Sequence, residues 1–171
     1  MTKIATPLAV VALVLTAFLL VGSSSAAAQK KLVILVRHAE KVETDDPDPD
    51  LSDAGKQRAE RLMQRIKKYR PGAVFSTDLK RTRETAAPIA EKRRKQIEIY
   101  DPKKPQELID KVMSSRTKRF VIVGHSNTIP GLANLFLKKE LFKSLDESEY
   151  GTIWLIRFKN GKVKKTQLLD Y

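Results

Sequence analysis

The chain has two histidines, and each stands at the end of an aliphatic run: "VILVRHAEK" (Val33 to Lys41) and "FVIVGHSNT" (Phe120 to Thr128). Near neutral pH an imidazole can serve as nucleophile, proton carrier or metal ligand. Arg37, beside the first histidine, narrows that choice. A guanidinium stays charged at any working pH, offers a planar fork of donors suited to phosphate or carboxylate, and repels a divalent cation. Two histidines without a third ligand are also too few for zinc, so no metal set is assigned. Arg81 in "FSTDLKRTRET" can lean back from the start of a helix over the same region, whereas Arg83, two positions on, faces the other way round. Two imidazoles and two guanidiniums describe an anion site. Ser52, Ser76 and Asn127 read as caps or turn residues, and Asn127 can also steady the site.

The elements that must position these groups follow from periodicity. Lys31–Val36 is continuously apolar and β-branched, as in a strand buried on both faces. Ser52 offers an N-cap to a helix whose apolar stripe is Ala59, Leu62, Met63, Ile66 and Tyr69, stopped at Pro71-Gly72. Ala73–Phe75 is a second strand. A helix capped near Asp78 follows, with Pro88 expected to kink or divide it. Gln96–Tyr100 is a third strand, and Pro105 opens a helix carrying Leu108, Ile109, Val112 and Met113. Arg119–Val123 is a fourth strand, followed by a helix from about Thr128. Thr152–Phe158 and Lys162–Leu169 flank Asn160-Gly161, a two-residue hairpin signal. The pattern predicts an α/β three-layer sandwich: a mainly parallel sheet, helices on both faces, and a C-terminal antiparallel hairpin. Ligands bind such sheets beyond the carboxyl ends of the strands, where both histidines fall.

The first 28 residues stand apart. Lys3 precedes the apolar run Ile4–Val21, and Ala26-Ala27-Ala28 suits a cleavage site, so residues 1–28 read as a signal peptide and 29–171 as one domain. The small-residue flank favours cleavage over a retained anchor, and the protein is expected to be exported, periplasmic or extracellular, with no stable membrane span once cut. There is no cysteine, so no disulfide contributes.

The chain carries a net charge of +13, and only one of its basic residues, Lys3, lies in the first 28. That excess suits anionic partners: phosphate esters, nucleic acid or an acidic membrane. Basic side chains crowd Lys56–Arg70, as on a solvated helix face. Glu43–Asp53 is the counterweight, with six acids and no base. A calcium loop from Asp46 fails there, because Leu51 stands where the turn needs glycine and Gln57 where the bidentate glutamate belongs. An exposed acidic loop is the better reading. No nucleic-acid recognition motif or stacking platform is present, so no nucleic-acid partner is expected, and no protein partner is predicted.

Taken in order, "LVRHAEK", "LSDAGKQRA", "STDLKRTRETA" and "VGHSNT" resemble the histidine phosphatase superfamily, in its phosphoglycerate-mutase-like branch, from Lys31 onward. The resemblance implies a metal-independent phosphomonoesterase without cofactor, acting on a small or envelope-associated phosphorylated substrate. It casts His38 as nucleophile, forming a phosphohistidine, with Arg37, Arg81 and His125 gripping the phosphoryl oxygens and Asn127 beside them. Neighbouring cations would keep His38 unprotonated. The family's leaving-group acid has no motif here; Asp101, at the end of the third strand, is the first candidate, with Glu107 and Glu40 as rivals. A mutase is disfavoured, since no glutamate-bearing substrate loop is found. A phosphate-binding module without turnover is the alternative. With no inserted lid between Tyr100 and Arg119 the pocket should be open, and the acidic loop Glu43–Asp50 is expected to disfavour highly anionic substrates.

Overall fold

The computed structural model describes residues 29–171; the expected signal segment and its cleavage site lie outside the described residues. In chain order the elements are β1 (Lys30–Arg37), α1 (Asp53–Ile66), β2 (Ala73–Ser76), α2 (Lys80–Arg93), β3 (Ile97–Ile99), α3 (Pro105–Ser114), β4 (Arg119–Gly124), α4 (Thr128–Leu137), β5 (Thr152–Lys159) and β6 (Lys162–Asp170). They build one six-stranded sheet in the order β3-β2-β4-β1-β5-β6. Strands β1 to β4 run parallel, and β5 and β6 close the sheet antiparallel, as the pattern predicted.

The continuous apolar runs are explained by two cores, one on each face. Leu32, Ile34 and Val36 pack with Leu62, Met63 and Ile66 of α1 and with Ala86, Ile89 and Ala90 of α2. Val33 and Leu35 face the other way, toward Leu108, Ile109 and Val112 of α3 and Ile129, Leu132 and Phe136 of α4. Side chains alternate along a strand, so only a strand covered on both sides needs every residue apolar. At Asn160 and Gly161 the φ angles are 52° and 73°, the pair of positive values that a tight hairpin turn requires.

The structure departs from the sequence reading in α2 and at its start. Asp78 does not cap that helix; its carboxylate pairs with Arg83. The residue before the helix, Leu79, has no capping side chain, and the N–H of Lys80 instead donates to Asp48 Oδ1 at 2.8 Å, from the acidic loop. Pro88 lies within α2 without dividing it. A proline forfeits one backbone bond and clashes with the preceding turn; the buried contacts of Ala86, Ile89 and Ala90 on either side of it hold the helix through that fault. Ser52 caps α1 as read, its Oγ accepting from Gly55 N–H at 3.1 Å, although the helix proper stops at Ile66 and Tyr69 sits in a 3₁₀ turn. Among the described residues no helix is long and apolar enough to cross a membrane.

Candidate active site

Strand register brings the two histidines together. Arg37 on β1 is paired with Gly124 on β4, and His38 N–H donates to Gly124 C=O at 2.8 Å. The next residue on each strand is a histidine, and the two rings meet edge to face with centroids 5.4 Å apart. On the other side of β4, Ser76 is paired with Val123. That places Thr77 beside His125, with Thr77 Oγ1 2.9 Å from His125 Nε2. His38, Arg81, His125, Asn127 and the first residue of α4, Thr128, line one cavity of about 790 Å³.

His38 is 5% exposed. Its Nδ1 lies 2.7 Å from Ala39 C=O. A carbonyl only accepts, so Nδ1 carries the proton and the lone pair is left on Nε2. The His38 pKa falls to about 4 because burial penalises the imidazolium; the bond to Ala39 opposes this, and His125, Arg37 and Arg81 add to it. Burial, more than the neighbouring cations that the sequence pointed to, keeps His38 neutral. His125 also falls to about 4, again through burial first and then through Arg81 and Arg37. If Thr77 donates to Nε2 of neutral His125, Nδ1–H is the donor that remains for an anion.

Arg81 lines the cavity, whereas Arg37, next to His38 at the end of β1, is buried behind it and is not among the lining residues. Nε of Arg37 and of Arg81 is buried without a hydrogen-bond partner among the described residues, so each holds donor capacity in reserve. Arg81 lies 3.8 Å from Asp48. Arg37 stacks on Tyr150, 4.2 Å from the ring centroid, and donates to the backbone oxygens of Asp146 and Glu149 and to the Glu147 carboxylate at 2.7 Å. Glu147 also accepts from Ser126 Oγ at 3.0 Å and lines the cavity. Its pKa is lowered, chiefly by the bond from Ser126 and then by Arg37.

The three carboxylates proposed as acids are placed elsewhere. Asp101 turns back to accept from Lys103 N–H at 2.9 Å and borders a neighbouring cleft together with Glu107. Glu40 is held by Arg58 in a two-pronged pair at 2.6–2.8 Å, which depresses its pKa against the opposing effect of burial. None of the three is among the residues lining the His38 cavity. The acidic loop is not free either: Asp46 and Asp50 lie near Lys80, and Asp48 near Arg81.

Sequence reasoning missed Glu147, Ser126, Thr77 and Tyr150. Ser126 and Thr77 adjoin the motifs and could have been found there. Glu147 and Tyr150 lie in the α4–β5 connection, which has no periodicity to read. The connection is pinned by buried Asn134, whose Oδ1 accepts from the N–H groups of Leu141 and Phe142 at 2.9 Å each.

The domain is an α/β sandwich that carries two imidazoles and a guanidinium at one cavity beyond the strand ends. Residues 33–102 match the family model for the histidine phosphatase superfamily, branch 1. The fold is shared with solved phosphatases. A mycobacterial glucosyl-3-phosphoglycerate phosphatase is 13% identical, with 83% of this chain and 98% of that one covered and a TM-score of 0.67. The protein histidine phosphatase SixA, solved with tungstate, is 11% identical, with 81% and 96% covered and a TM-score of 0.66. Mycobacterial hydrolase 1 is 13% identical, again with 81% and 96% covered and a TM-score of 0.66. At such identities the likeness is one of fold. No curated protein matches the sequence. The chain thus matches the histidine phosphatase superfamily over its first motifs and shares its fold with solved phosphatases.

Proposed function

We propose that the protein is a phosphomonoesterase working through a phosphohistidine at His38, without a metal. The observation that carries this reading is His38 itself: buried, neutral above about pH 4, its proton fixed on Nδ1 by Ala39, and sharing a cavity with Arg81 and His125. The Nε2 lone pair attacks phosphorus in line, the ester P–O bond breaks, and its electron pair leaves on the alcohol oxygen. A water then attacks the phosphohistidine, the P–N bond breaks back to Nε2, and phosphate departs. Arg81, Arg37 and His125 match the charge on the equatorial oxygens, and the start of α4 points N–H groups the same way. That SixA is solved with tungstate, a tetrahedral oxyanion, supports an anion in a fold of this kind.

No protonated acid stands ready among the cavity residues. The one carboxylate there, Glu147, is held ionised by its partners. Substrates whose alcohol leaves without help, such as aryl phosphates, are therefore the better ones, and small soluble or envelope phosphates on the exported side remain the class proposed. The same lack of an acid favours the second reading, a phosphate-binding module. Hydrolysis of an aryl phosphate in EDTA by the wild type, abolished in His38→Ala, is the expected result. Phosphate binding without turnover in the wild type, retained in His38→Ala, would establish the binding module instead.

A further inference from the structure

The end of the sheet opposite the histidines carries cations facing cations. Lys30 is paired across strands with Lys159, and Lys159 with Lys162; Arg157 is paired with Lys165; Arg119 and Arg157 flank Leu32 from either side. Like charges directly opposite each other destabilise a sheet. No carboxylate among the described residues lies within ion-pair distance of any of these side chains. Arg157 meets the edge of one core, over the Tyr69 ring at 5.6 Å, and the histidine cavity uses none of these side chains. Between them is a groove of about 410 Å³ whose lining includes Leu32, Lys118, Phe158 and Lys164.

The place where the chain enters the domain suggests what covers this patch. Gln29 C=O accepts from Asn160 N–H at 2.9 Å, so the described chain begins on the β5–β6 turn, inside the basic patch. The apolar run Ile4–Val21 precedes it by eight residues, which span at most roughly 28 Å when extended. In the uncut chain the patch is therefore the part of the domain brought nearest to any bilayer that the run enters, and its charge stays with the domain after cleavage. We propose that this basic end of the sheet is a docking surface for anionic phospholipid headgroups. Strand β1, eight residues long, then holds the histidine cavity roughly 26 Å from the lipid and facing away from it. A nucleic acid fits less well, because the groove's one aromatic lining residue, Phe158, is buried and offers no stacking platform.

Co-sedimentation of the full chain with vesicles of phosphatidylcholine, with and without phosphatidylglycerol, tests this at low and high salt. The apolar run and Lys3 are common to every variant, so the change in anionic preference between variants isolates the patch. Phosphatidylglycerol should strengthen binding in a salt-sensitive way. The combined Lys30→Gln, Lys159→Gln and Lys164→Gln change should lower that preference by on the order of a hundredfold, about fivefold for each cation. The same number of neutralisations at the other end of the domain, Lys56→Gln, Lys104→Gln and Lys143→Gln, should leave most of it. Hydrolysis of a soluble phosphate ester and the melting temperature report that the variants are folded, and removing like-charge pairs should not lower the melting temperature. Equal losses in the two triple variants, no anionic preference in the wild type, or release from the vesicles by an oligonucleotide at lower phosphate concentration than the lipid's would each overturn the proposal.

Discussion

Glu147 holds one end of the Arg37 guanidinium, yet its side chain is 80% exposed. Only the Arg37 side of this pair is buried, and a pair open to solvent on its carboxylate side is worth on the order of 1 kcal/mol, so a phosphate dianion can compete with the carboxylate for its donors. Glu147→Gln removes a negative charge from an anion site and loosens Arg37. The inhibition constant for inorganic phosphate should tighten by up to about fivefold, the equivalent of that 1 kcal/mol; weaker phosphate binding would mean that Glu147 instead orients Arg37 for the substrate. Asp101 gives the complementary test. Its carboxylate closes a turn beside another cleft, so Asp101→Asn should leave the dependence of kcat on leaving-group pKa unchanged. A selective loss of activity on poor leaving groups would restore it as the acid. That His38, Arg81 and His125 would share one cavity was legible because each adjoins a strand end or helix start that the sequence marks. Glu147 was not, because it lies 22 residues beyond His125 on an irregular connection whose course depends on the side chain of Asn134.

Elements were legible wherever a core face dictates period, and less so at their ends. The start of α2 shows why. A local reading chose Asp78, the nearest acceptor in sequence, but the N–H of Lys80 is satisfied by Asp48, 32 positions away, which no local rule can reach. The two aspartates should therefore respond differently to removal. Asp48→Ala should destabilise the fold by about 1 kcal/mol as a lost cap, while Asp78→Ala, deleting an exposed pair with Arg83, should stay within about 0.5 kcal/mol. Urea denaturation of both variants checks the order, and a larger loss at Asp78 would mean that the local cap carries the helix. At α1 the limit is backbone contact. A Cβ on Gly55 would lie 2.0 Å from the carbonyl oxygen of Glu40, so Gly55→Ala must push the helix off the segment that follows His38. A loss of about 3 kcal/mol in the same titration, at the upper end of overpacking, is expected, together with reduced activity.

At the scale of the whole molecule, the two buried histidines tie stability to pH. In the unfolded chain an imidazole takes up its proton near pH 6.5; in the fold both are lowered to about 4, burial being the main cause for each. Between those values the unfolded state binds more protons than the native state, so stability falls as pH falls. The contribution of the pair is fully present above about pH 6.5, declines through that interval, and levels off below about 4. A shift of this size is worth on the order of 3 kcal/mol per histidine. The carboxylates Glu40 and Glu147 are also lowered, but from 4.5, so the stability they confer is lost at more acid pH, as pH falls through their depressed folded values. The two effects therefore separate along the pH axis. On the proposed mechanism activity follows a different curve from stability, because it depends on the native-state imidazole of His38, whose pKa is lowered to about 4. At pH 5 the protein should keep most of its kcat/KM while having lost a substantial part of its unfolding free energy. Urea titrations at pH 7 and pH 5, run beside aryl phosphate hydrolysis, measure both. Replacing both histidines with glutamine should flatten the stability slope in this window. A slope that survives the double replacement would place the titrating groups elsewhere in the molecule, and an activity limb near pH 6.5 would mean that His38 is not held neutral by the fold.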